Sequence, residues 1–169
     1  RPVGFSMFYF ASDEGERAAD KYRLLLDGAR FADEHGFEAV WTPERHFHAF
    51  GGPYPNPSVT GAALAATTKK VQIRGGSCVV PLHHPVRVAE EWAVVDNLSH
   101  GRVGISFASG WQPDDFLIQP QNFKENKKVM AQAIDQVRRL WRGEALSFKN
   151  GLDKDVSVVT QPRPIQKEL

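Results

Sequence analysis

The chain has 169 residues, 41% of them hydrophobic and 24% charged, with a formal net charge of +1. That balance describes a globular domain and excludes a broad cationic face for nucleic acid or an anionic membrane. A lone cysteine, Cys78, excludes an internal disulfide, and no apolar run reaches membrane-spanning length or follows a signal-peptide pattern. A reducing, cytoplasmic setting is the resulting expectation.

In chain order, residues 4–11 are a short aromatic-rich apolar run, which predicts a buried strand. Ser12, Asp13, Glu14 and Glu16 supply cap residues and acids for a helix start. Ala18, Tyr22, Leu25, Leu26, Ala29 and Ala32 then recur at helical spacing until Gly36. Residues 37–42 predict a second strand, which completes a βαβ unit. A Gly/Pro-rich loop over 47–57 follows. Asn56 and Pro57 can cap and open a helix over 58–68, built from Gly61, Ala62, Ala63, Ala65 and Ala66. Those small residues suit either close packing on the sheet or a contact with a second copy.

Residues 71–82 predict the third strand, with Gly75 and Gly76 marking a bulge, a bend or a close approach. Pro85 opens a helix reaching Leu98 and closed by Gly101. Residues 103–107 predict the fourth strand. Asn122 is positioned to cap a last long helix carrying Val129, Ala133, Ile134, Val137, Leu140 and Trp141, with Gly143 beyond it. Residues 145–149 and 156–160 predict two short strands around an Asn150-Gly151 hairpin signal, and residues 161–165 an extended tail.

The fold class expected is therefore α/β, with about four βα units and a parallel sheet joined by right-handed crossovers. Pattern alone leaves open a doubly wound sheet or a barrel. The first turn lacks G-x-G-x-x-G, which argues against a dinucleotide fold. A full barrel takes eight units and about 250 residues, so four units would be half of one.

Strand two delivers Glu44 and His46 at its carboxyl end, where barrels and doubly wound sheets keep their chemistry. Two readings stand: an active-site mouth, or a strand end with solvated charges. Tyr9 and Phe10, Ser77 and Cys78, and residues 109–111 occupy the other three carboxyl ends. His46 and His48 form H-x-H, and with Glu44, His83 and His84 they raise the possibility of a metal-dependent hydrolase. His83 and His84 read better as loop residues or backbone partners. Cys78 as a nucleophile lacks an assigned base. A folded interaction fragment without activity of its own is a further alternative.

Residues 5–10, 38–47, 84–92, 96–104, 109–116 and 140–144 together resemble the bacterial luciferase-like flavin monooxygenases. The likeness is nearest to the domains embedded in nonribosomal peptide and polyketide synthases. It covers nearly the whole chain, with individually loose motifs in the right order and spacing.

The resemblance implies a TIM barrel of which this chain, a single partial domain over residues 1–169, supplies the N-terminal half. It implies reduced FMN as cofactor, dioxygen as co-substrate and oxygen insertion into an organic molecule, small or carrier-protein-bound. The family's active-site histidine falls on His46, with Glu44 beside it as orienter and no metal. Its flavin-facing third strand, often carrying a non-proline cis peptide, falls on Gly76, Ser77 and Cys78. Tyr9, Ser106, Ala108, Ser109, Gly110 and Trp111 fall along the remaining cofactor edge. Phe8, Phe10, Phe47 and Trp111 are candidates for excluding water.

One departure is that no arginine stands at the end of the fourth strand, where the run is Phe107-Ala108-Ser109. The half-barrel alone should therefore hold flavin weakly and be inactive. A flavin reductase is the implied source of FMNH2. A homodimer through helices 58–68 and 85–98 is implied, and no nucleic acid or membrane. A deazaflavin-dependent oxidoreductase of the same fold is the alternative.

Overall fold

A computed structural model describes residues 3–12, 14 and 20–169. Four parallel strands, β1 (Ser6–Phe8), β2 (Ala39–Thr42), β3 (Gln72–Cys78) and β4 (Val103–Phe107), lie side by side in sequence order. Helices α1 (Arg23–Glu34), α2 (Pro57–Thr67) and α3 (Pro85–Ser99) make the crossovers, and α4 (Asn126–Arg142) follows β4. A hairpin of β5 (Leu146–Lys149) and β6 (Asp155–Val158) completes the chain. Among the described residues no helix is long and apolar enough to cross a membrane.

The two faces of the sheet differ. Val40, Ile73, Gly75 and Val103 meet the helices, where Leu64, Trp92 and Val95 fill the core. Phe8, Trp41, Arg74 and Gly104 form one row on the other face, which no helix among the described residues covers. The paired glycines serve opposite faces. A Cβ on Gly75 would lie 2.8 Å from the Trp92 ring, and one on Gly76 would lie 2.6 Å from Trp41.

Several expectations need correction. The first strand is three residues long rather than residues 4–11, and it is not buried: Phe8 is 58% exposed on the uncovered face. Ser12 precedes residues outside the described ones, so the helix start expected there is not described. Ser12 itself bridges Phe50, and its hydroxyl accepts from the Glu14 N–H. α1 begins only at Arg23, while Asp13, Glu16 and Ala18 lie outside the described residues.

β3 ends at Cys78 rather than 82, because Pro81 has no N–H and the Val79 N–H is diverted to a side chain. Val80–Leu82 becomes one 3-10 turn. Asn122 does not cap α4. It lies in a separate turn, where its amide donates to the Pro81 carbonyl at 2.7 Å. The hairpin loop spans residues 150–154, with Asp153, not Gly151, taking the left-handed conformation.

Polar groups lock the amino-terminal edge of the sheet. Arg102 donates to the carbonyls of Ser99, Thr68 and Val71 and to the Thr68 hydroxyl, joining the ends of α2 and α3 to β3. Asp33 accepts three backbone N–H bonds from residues 69–71. Burial alone would push the Asp33 carboxyl up, but those three donors hold it below its ordinary value. Asp96 accepts from the N–H groups of Ile165 and Gln166, so the tail is pinned rather than freely extended.

Candidate functional site

At the carboxyl edge of β2 the chain leaves the sheet through Pro43 and presents Glu44, Arg45 and His46. The Glu44 side chain is 0% exposed. Its Oε2 accepts the Val79 N–H at 2.6 Å, just past the end of β3. Its Oε1 accepts from His83 Nε2 at 2.6 Å and from His46 Nε2 at 2.9 Å. A buried carboxylate needs such compensation, and three donors supply it.

These bonds set the local electrostatics. Burial favours the neutral acid at Glu44, but hydrogen bonds from His46, His83 and Val79 outweigh it and hold the carboxyl below its ordinary value. Burial works against a charged His83, and the Glu44 carboxylate beside it raises its pKa regardless. Because each imidazole gives its Nε2–H to Glu44, Nδ1 of His46 is the atom left to hold or pass a proton.

Arg45 leaves on another side. Its Nη1 lies 3.3 Å from Asp115 Oδ2, and its guanidinium stands 5.2 Å from the centre of the Trp111 ring. The pair ties the end of β2 to the 3-10 turn Pro113–Leu117. Asp115 Oδ1 is buried without a hydrogen-bond partner. Burial pushes the Asp115 carboxyl above its ordinary value despite Arg45.

The structure brings some anticipated residues together and separates others. Ser77 and Ser106 place their hydroxyls 3.4 Å apart at the carboxyl end of β3 and β4, beside the cis Gly76–Ser77 bond. Trp111 stands over Arg45 and is 77% exposed. Ala108 is tied by its N–H to the Cys78 carbonyl at 2.9 Å. Gly110 takes φ +77, and a Cβ there would lie 2.7 Å from Phe116. Ser109 lies between them, half-buried.

Cys78 and Tyr9 are the corrections. The Cys78 side chain is 2% exposed and sits in the helix-side core. Burial, with Glu44 and Glu91 nearby, raises its thiol well above the usual range, which suits neither nucleophile nor ready ligand. The Tyr9 hydroxyl contacts Met7 Sδ and fills the space left by Gly28 of α1, so its side chain faces the helices. Phe8 and Phe10 stack on the uncovered face instead, 6.4 Å apart.

His48 accepts from the Phe50 N–H and His84 from the Val86 N–H, so neither joins the cluster. Glu44, Cys78 and His83 offer donor atoms within 4.8 Å of one another, a spacing that could hold a metal ion. Both Glu44 oxygens already accept N–H bonds, however, and a metal would have to displace them. His83, assigned above to a loop, is thus a member of the site. The turn that Pro81 forces is the signal that could have found it. The pairing of Arg45 with Asp115 carried no sequence signal, because an ion pair across 70 positions has no spacing to read.

Comparison with known proteins adds to this geometry. The family model described as luciferase-like monooxygenase matches residues 2–168. The oxygenase component of flavin-dependent trigonelline monooxygenase from Acinetobacter baylyi is 29% identical over 144 residues, which cover 83% of this chain and 40% of that protein. A monooxygenase of known structure from Streptomyces bottropensis is 29% identical with a TM-score of 0.85, over 98% of this chain and 51% of that one. The oxygenating constituent of 3,6-diketocamphane monooxygenase from Pseudomonas putida, a type II Baeyer–Villiger enzyme solved with FMN, shares the fold. It is 16% identical with a TM-score of 0.82, over 98% of this chain and 49% of that one. The chain therefore spans about half the length of the solved relatives.

Proposed function

The chain belongs to the luciferase-like monooxygenase family, and we propose that it forms the flavin- and proton-handling half of an FMN-dependent monooxygenase. The carrying observation is the Glu44–His46–His83 cluster at the same sheet edge as the Gly76–Ser77–Ser106 ledge. The ledge fits a flat ring. Gly76 leaves clear a position that a Cβ would contest with Trp41 and Phe8, and two hydroxyls line its upper rim. The cofactor's phosphate finds no cation at Ala108, and Arg45 is already engaged by Asp115.

Reduced FMN, when bound, supplies two electrons to dioxygen, so that one oxygen atom enters the substrate and the other leaves as water. The protein's own share is positional and protonic. Glu44 fixes the His46 ring by accepting Nε2–H, which leaves Nδ1 to hold or deliver a proton. His83 shares the same carboxylate and steadies it. Phe47 and Trp111 stand beside His46 and Arg45 at this edge, exposed in this chain, where they could meet a bound ring.

A separate flavin reductase supplies the reduced cofactor in this reading, and a natural product, free or carrier-bound, is the substrate class. A homodimer through α2 and α3 accompanies it. Val59, Val94 and Leu98 are exposed there, beside a groove of 620 Å³ that also includes Ala62.

Anaerobic titration of the intact protein with reduced FMN tests the assignment. Saturable binding, followed by substrate oxygenation on admitting air, is the expected result. Tight zinc binding with no affinity for flavin would replace it with the metal-hydrolase reading.

A further inference from the structure

The row Phe8, Trp41, Arg74 and Gly104 places a cation between Trp41 and a glycine on the uncovered face of the sheet. Two contacts fix which way Arg74 faces. A Cβ on Gly104 would lie 1.9 Å from Arg74 Nη1, so the guanidinium lies across that glycine. Gly76 is two residues further along the same strand and meets Trp41 and Phe8, so Arg74 and Gly76 share a face.

Arg74 has little to hold it there. Its Nη2 donates to Gln72 Oε1 at 3.3 Å, and among the described residues no carboxylate lies within 4.0 Å of it. A guanidinium has five N–H donors, so most of those of Arg74 remain to meet an anion placed on this face. The neighbouring row toward the carboxyl edge holds Gly76 and Ser106, the ledge assigned above to the flavin ring.

We propose that Arg74 is a cofactor-positioning residue whose guanidinium favours the anionic, reduced form of the flavin over the neutral, oxidised form. The inference rests on the flavin assignment of the preceding section. Oxidised flavin is neutral in its ring. Two electrons and one proton convert it to a reduced ring that carries one negative charge, delocalised over N1 and the C2 carbonyl. A fixed cation beneath that ring attracts the product of reduction and is indifferent to the starting form. Gly104 contributes by leaving the guanidinium room to lie across β4.

The test compares the intact wild-type protein with R74M and R74K. The dissociation constant of oxidised FMN is measured by fluorescence quenching. That of dithionite-reduced FMN is measured under anaerobic conditions. R74M is expected to bind reduced FMN roughly tenfold more weakly and oxidised FMN within about twofold of wild type, and a tenfold change in that ratio lowers the two-electron potential of the bound flavin by about 30 mV. R74K, which keeps the charge, should recover most of the ratio. R74Q replaces R74M if the latter melts early.

Equal weakening of both forms, or an unchanged ratio, would assign Arg74 a structural role and overturn the inference while leaving the flavin assignment standing. A wild-type protein that binds neither form overturns both.

Discussion

Glu44→Gln is the sharpest probe of the site, because the carboxylate is fully buried and every bond it makes is specified. Gln keeps the shape and one acceptor oxygen. If that oxygen stays with the two histidines, the new NH2 group opposes the Val79 N–H across 2.6 Å. If the amide flips, Val79 is satisfied and the NH2 group meets His46 and His83 instead.

In the first case the Val79 contact becomes repulsive. In the second, both imidazoles must change tautomer to accept at Nε2. In either case the charge assistance is lost. With charge-assisted hydrogen bonds worth about 1.5–3 kcal/mol each, a net loss of about 3 kcal/mol follows. For a chain of this size that is a fall in melting temperature of roughly 6–12 °C.

The loss depends on pH. Glu44 has a depressed folded pKa, so its contribution is present above the unfolded value and fades as pH falls through the folded one. His83 has a raised folded pKa, so its contribution is present below the unfolded value and fades as pH rises through the folded one. The two overlap between the ordinary glutamate and histidine values, so the deficit of the variant should be larger near pH 6 than near pH 9. Urea melts followed by circular dichroism at both pH values measure it. A variant within about 0.5 kcal/mol of wild type, or a deficit identical at the two pH values, would refute the linked carboxylate–imidazole cluster.

Other outcomes follow from the same structure. His46→Ala in the intact protein should lower product formed per flavin oxidised by about 10²–10⁴-fold while changing flavin affinity little; unchanged coupling would make His46 structural. Arg102→Met should cost about 3–5 kcal/mol in urea melts, since it strands the carbonyls of Thr68 and Val71 in the interior. A cost below about 1 kcal/mol would mean that water reaches them. Replacing Ala62 or Ala66 by Glu should convert a dimer to monomers by light scattering. A wild-type protein that is already monomeric removes that interface.

The sequence by itself determined the alternation of strands and helices, the breaks at Gly36, Asn56-Pro57, Pro85 and Gly143, and the carboxyl edge where Glu44 and His46 emerge. Those features are local: hydrophobic period, proline and glycine geometry, and chain order act within a few residues. It also carried the family, because motif order survives in a linear string.

Tertiary structure decided which side chains share a face. It turned Tyr9 and Cys78 toward the helices and Phe8 away from them. It brought His83 to Glu44 across 39 positions and Asp115 to Arg45 across 70. It also shortened β3, because the Val79 N–H found a buried carboxylate instead of a neighbouring strand. Side-chain direction in a strand reverses at every residue, so a register fixed only by packing decides each of these outcomes. Hydrogen bonds between distant residues leave no period in the sequence, and it is these that assembled the site.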